Sequence, residues 1–216
     1  MEAVDVDDSG HQGSPGRAGY RRSAGSPRGE ARRRELLERV ADDLAINGLV
    51  GFSLRRAARA AGTTHKVLLY HFDGADDLLG QAILQLRERR IGNALAAATR
   101  GPADRTLAAR VRAVGAVLMG EESGLQVLEQ AIGLAMYDPS RYAGLGHEAS
   151  QQYLPPLLSI CPAGWSDRRK LEVAEMILAV LLGFRVDWLT SGDTARAAAG
   201  FEALTRALER EEAADA

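Results

Sequence analysis

Residues 53–72, SLRRAARAAGTTHKVLLYHF, leave this chain few folds to choose from, because they spell two short helices joined by a tight turn. Ser53 offers a hydroxyl to an orphan backbone N–H and so predicts the N-cap of a helix over 54–61. Gly62 predicts its end, since the position just past a helix often needs a positive φ that glycine takes without Cβ strain. Thr64 can cap the second helix, which runs to His71. A turn this short sets two helices at a steep angle, as in a helix-turn-helix.

Laid out at about 100° per residue, the second helix has two unlike faces. Leu68 and Phe72 fall on one side; Lys66 and Tyr70 fall nearly opposite, with His65 and His71 beside them. The first helix is thin where the second must cross it, at Ala57, Ala58 and Ala61, while Arg55, Arg56 and Arg59 are expected to point outward. Small inside and basic outside suits a unit that lays its second helix on DNA.

The same residues resemble the DNA-binding segment of the TetR family of transcriptional regulators, whose pattern runs from Thr or Ser through a short helix ending Ala-Gly to a recognition helix closing Tyr-x-His-Phe. Ala61-Gly62, His71-Phe72 and Leu78-Leu79 carry the match. Two positions depart from it: the family's usual tyrosine falls at Leu69 with Tyr70 one place later, and the lysine usual shortly after the phenylalanine is Ala75. The resemblance covers about 30–79 by motif and the remainder by helix pattern. It implies an all-α fold, a three-helix helix-turn-helix DNA-binding unit followed by a C-terminal helical ligand-binding and dimerisation domain.

Composition bears this out only when divided along the chain. The net charge of −2 alone argues against nucleic acid, yet 28–72 holds nine Arg or Lys against five Asp or Glu, which leaves the rest near −6. A basic module on an acidic body fits a protein that touches DNA with one end. The longest nearly unbroken apolar run, 176–184, is far short of the roughly 20 residues that span a bilayer. No apolar signal core opens the chain, and the single Cys161 builds neither a disulfide framework nor a cysteine zinc site, so a cytoplasmic location is expected.

Residues 1–29, rich in Gly, Ser and Pro, predict a disordered tail; its arginines at 17, 21, 22 and 28 are either a solvated run or an arm that reaches DNA. The helix-turn-helix domain is expected over 30–75, its first helix (30–47) packing through Leu36, Leu37, Val40, Ala41 and Leu44 and ending at Gly48. Arg32, Arg33 and Arg34 at its start either meet phosphates or are solvated. The effector-binding and dimerisation domain is expected over 76–216. It begins with a long helix to Gly101-Pro102, followed by helices near 104–119, 123–136 and 140–153, a break or kink at Pro155-Pro156, a helix over 167–189 capped by Ser166 and a last one capped by Asp193.

The last two helices form a hairpin, its stripes made by Leu171, Ala174, Leu178, Leu181, Leu182, Arg185 and Trp188 and by Ala197, Phe201, Leu204 and Leu208. Taken alone they read equally as internal core or as a dimer surface. The resemblance implies the second, with Leu178, Leu181, Leu182, Arg185, Trp188, Phe201, Leu204 and Leu208 meeting a second copy as a four-helix bundle. The middle helices carry Met119, Gln126, Gln130, Met136, Tyr137, Tyr142, His147 and Tyr153, the adaptable and weakly polar groups that line small-molecule cavities, although each is also ordinary core. Few charges on their inner stripes point to an apolar or weakly polar effector.

No enzyme constellation emerges. His11, His65, His71 and His147 are scattered without metal-ligand spacing, no glycine-rich phosphate loop occurs, and the neighbouring pairs Glu121-Glu122 and Glu211-Glu212 read as solvated. No metal or cofactor is expected. The expected partners are double-stranded DNA, a small-molecule effector and a second copy of the chain. Ser53, Tyr70 and His71 are placed on phosphates, Arg55, His65 and Lys66 on base edges, and Val67 and Leu69 complete the set, Leu69 against a thymine methyl. The competing readings are an effector-binding protein that has lost DNA binding and acts through a protein partner, and an unrecognised enzyme.

Overall fold

The computed structural model describes residues 26–102, 105–120 and 125–214, and every regular element among them is a helix. In order these are α1 (Pro27–Asn47), α2 (Leu54–Ala60), α3 (His65–His71), α4 (Ala75–Thr99), α5 (Leu107–Leu118), α6 (Leu125–Tyr137), α7 (Pro139–Ile160), α8 (Asp167–Ser191) and α9 (Thr194–Ala213). The expectations for 1–25, for Glu121-Glu122 and for the start of α6 at 123 lie outside the described residues. α1 opens three residues before its expected start: Ser26 accepts the Gly29 N–H and Pro27 fills the first turn, where a missing donor costs nothing.

The apolar side chains separate into two cores. The first gathers Leu36, Val40 and Leu44 of α1, the alanines of α2, Leu68, Phe72 and the front half of α4 to Leu86; it also takes in Val127, Leu128 and Ala131 of α6 and Leu145 of α7. The second runs from Ala94 through α5, the end of α7, α8 and α9. The helix-turn-helix therefore rests on α6 and α7 as well as on α4, and the division between cores falls inside α4.

Several expectations are corrected. α7 does not break at Pro155-Pro156 but continues to Ile160. Each interior proline costs about 3 kcal/mol or more; Leu157 and Ile160, both buried in the second core, lie just beyond and supply the offsetting burial. Glu211 and Glu212 are not idle surface charge: Glu211 pairs with Arg169 at 3.0 Å, and Glu212 accepts the Leu107 N–H at 2.6 Å, capping α5 from the other end of the chain. The interior also holds more charge than the helical stripes implied, with Arg87, Arg90 and Arg185 all buried.

The hairpin of α8 and α9 turns inward much of what was expected to face a partner. Leu181, Arg185, Leu204 and Leu208 are buried within the chain itself, and Leu178, Leu182, Trp188 and Phe201 are half-buried. Phe201 fills the space over Gly115, where an added Cβ would come within 2.1 Å of its ring. The exposed seam of α8 is a different one, Glu172, Met176, Ala179, Gly183, Val186 and Thr190, at alternating steps of four and three. α8 is apolar most of the way round, so periodicity alone did not say which stripe was inner.

Candidate nucleic-acid interface

The mount for α3 is built from backbone hydrogen bonds. Ser53 Oγ accepts the Arg56 N–H at 3.3 Å and starts α2. At its end the Thr63 N–H reaches Ala58 O and the Gly62 N–H reaches Arg59 O, with Gly62 at φ +61, a Schellman ending that requires the left-handed residue. Arg39 of α1 donates to Ala61 O at 3.2 Å, tying this turn to the supporting helix. Thr64 Oγ1 then accepts the Val67 N–H at 3.4 Å and starts α3.

Leu68 and Phe72 are buried in the first core and Val67 packs at its edge, so α3 can lie only one way round. His65, Lys66 and Leu69 stand exposed, with Tyr70 half-buried beside them, and Arg55 and Arg59 are exposed on α2. This is a surface of cations, an imidazole, a phenol and one apolar group, the chemistry that phosphates and base edges accept.

Three arginines are used otherwise than expected. Arg56 does not point outward: it pairs with Asp43 at 2.7 Å and donates to Gly48 O and Val50 O, both at 2.9 Å, clasping the loop between α1 and α2. Arg33 donates from Nε to His71 O at 3.2 Å, from Nη2 to Gln81, and lies 4.9 Å over the Phe72 ring. It therefore fastens the end of α3 to both α1 and α4. Arg32 pairs with Glu35 at 2.6 Å, which leaves Arg34 as the exposed member of the run.

His71 is an inner member of this group. Its Nδ1 is buried without a hydrogen-bond partner, and its ring meets Tyr70 edge to face at 4.8 Å. Burial, reinforced by the positive charge of Arg33 and Arg32, lowers its pKa below the ordinary 6.5 and so favours the neutral ring.

The eight residues expected to line an effector cavity do not converge. Met136 and Tyr137 are 79% and 88% exposed at the end of α6. Gln126 and His147 are also exposed, His147 bonding to Gln151; Met119 ends α5; Tyr153 is half-buried with Arg87 near its ring. Gln130 and Tyr142 instead line a groove between the helix-turn-helix and the body with Leu49, Phe52, Leu79 and Leu134. Gln130 accepts the Leu49 N–H there at 2.9 Å, and Arg141 grips Asp76 at 2.8 and 2.7 Å across the neighbouring joint. The roles of Arg33, Arg56 and Gln130 are not legible in the sequence, because their partners lie 6 to 81 positions away on other elements or in loops, where no local period reports them.

No protein-family model matches the chain, and no curated protein matches it at a significant level. Solved structures do. A TetR-family transcriptional regulator from Cytophaga hutchinsonii superposes with a TM-score of 0.66 at 15% identity, over 85% of this chain and 96% of that one. The multidrug binding protein EbrR complexed with proflavin gives 0.61 at 23% identity, over 81% and 98% of the two chains. Its ethidium complex gives 0.62 at 22%, over 81% and 97%. What is shared at these identities is the fold, a helix-turn-helix carried on a helical body. Among the described residues, no helix is long and apolar enough to cross a membrane.

Proposed function

We propose that this chain is a transcriptional regulator of the TetR type: a homodimeric repressor that grips a palindromic DNA operator and is released by a small-molecule effector. The observation that carries the reading is the outward face of α3, where His65, Lys66, Leu69 and Tyr70 stand clear of the core that Leu68 and Phe72 occupy. Lys66 and Arg55 approach guanine acceptors, Leu69 a thymine methyl, and Ser53, Tyr70 and Arg34 the phosphates. Two copies related by a two-fold axis would read half-sites about one helical turn apart or somewhat more. The exposed α8 seam through Met176, Ala179, Gly183 and Val186 is the surface on which the second copy would sit, with the helix-turn-helix unit over 30–75 as the reading head and 76–216 as the responding body. That EbrR has been crystallised with proflavin and with ethidium supports a small organic effector here, which must bind the DNA-incompetent form more tightly to shift the balance.

Selection from a randomised duplex pool tests this. Enrichment of one inverted repeat is the expected result; a pool that stays random after several rounds overturns it. A second reading rests on Ala75, which opens α4 without the lysine the resemblance leads one to expect there: an effector-binding protein that acts on a protein partner. It would take the first reading's place if no sequence were enriched.

A further inference from the structure

α6 holds two attachments on consecutive residues. Gln130 reaches out to the helix-turn-helix and accepts the Leu49 N–H at 2.9 Å. Glu129, turned about 100° from it, reaches into the body and pairs through Oε1 with Arg185 of α8, whose side chain is 2% exposed, while its own is 12% exposed. Glu129 Oε2 is buried without a hydrogen-bond partner, so the pair with Arg185 is what holds this carboxylate inside. Val127, Leu128 and Ala131 of the same helix are packed in the first core.

Leu49 lies in the loop that Arg56 clasps through Gly48 O and Val50 O, and Arg56 belongs to α2, whose Schellman turn delivers α3. From the buried ion pair to the outward face of α3 the connections are therefore continuous and specific. We propose that Gln130 is a positioning residue for the reading helix, and that the Glu129–Arg185 pair sets where Gln130 stands. A helix is stiff, and a hydrogen bond is lost over about 1 Å of displacement; shifts of about 1–2 Å are ordinary for packed helices that switch. Weakening the pair lets α6 resettle, and the Leu49 N–H loses its acceptor although nothing has touched it. The regulatory meaning of the latch rests on the function proposed above; its existence does not.

Amide exchange in the full chain without DNA tests it. Gln130→Met, which keeps length but has no acceptor, and Glu129→Gln, which removes the charge, should each speed exchange at Leu49 by about tenfold while α9 amides stay as in the wild type. Gln130→Glu, which keeps an acceptor, should retain the slow exchange. Because coupling is reciprocal, Gln130→Met should also speed exchange on α8 around Arg185. The proposal is overturned if Glu129→Gln leaves Leu49 at its wild-type rate, if it raises exchange uniformly through α8 and α9, if the Met and Glu variants at 130 behave alike, or if Gln130→Met leaves α8 unchanged. None of these outcomes depends on DNA, so a failed latch and a failed DNA selection remain distinct results.

Discussion

Arg56 illustrates how a charged residue in a segment proposed to face DNA is committed to the fold. Its side chain is 14% exposed, and its guanidinium pairs with Asp43 and donates to two loop carbonyls. Arg56→Ala should lower stability by about 1.5–3 kcal/mol, the range for hydrogen bonds to a charged group, read by urea denaturation; an unchanged midpoint would contradict the clasp. His71 gives a dependence on pH. Its folded pKa lies below the unfolded 6.5, so the unfolded chain takes up a proton first as pH falls and the native state loses stability from about 6.5 downward. The melting temperature should therefore fall between pH 6.5 and 5, and His71→Gln should flatten that slope. Equal slopes would mean that His71 titrates alike in both states. Of these two residues the sequence marked His71 as a site residue and misplaced Arg56, because a guanidinium's direction depends on a partner on another helix.

Helices were legible where caps and one-sided stripes agree. Ser53, Thr64, Ser166 and Asp193 each cap the helix they were expected to cap, and Gly62 and Gly192 take the left-handed conformation. Legibility failed where a helix is apolar on more than one side, as in α8, and where packing overrides a local breaker, as at Pro155-Pro156. The contact between α5 and α9 is equally invisible in sequence, since it depends on the missing side chain of Gly115 meeting Phe201. Gly115→Ala gains intrinsic helix propensity of about 1 kcal/mol yet forces the ring aside, so the net effect should be destabilising, by about 1–3 kcal/mol. Calorimetry showing a higher melting temperature would place the ring elsewhere.

For the whole molecule, the basic excess and the seam proposed for dimerisation lie in different parts of the chain. The basic excess sits in 28–72, whereas α8 offers a seam whose exposed apolar members include Met176 and Val186. A Cβ at Gly183 meets nothing within 4 Å, so Gly183→Glu should leave the single chain folded while placing a charge in the seam proposed for the dimer. Sedimentation should then report a monomer; a dimer that persists would put the interface elsewhere. The sequence of the proposed operator is not legible, because the contacts that would choose bases belong to a few outward side chains and fold signals say nothing about them. Titration of the enriched duplex at fixed salt with the wild type and with Lys66→Ala is the test on which the account stands. Lys66 is exposed, so the variant should keep its melting temperature and oligomeric state while losing about 1–3 kcal/mol of discrimination against a scrambled duplex. Equal discrimination by the two proteins would mean that the outward face of α3 does not read DNA.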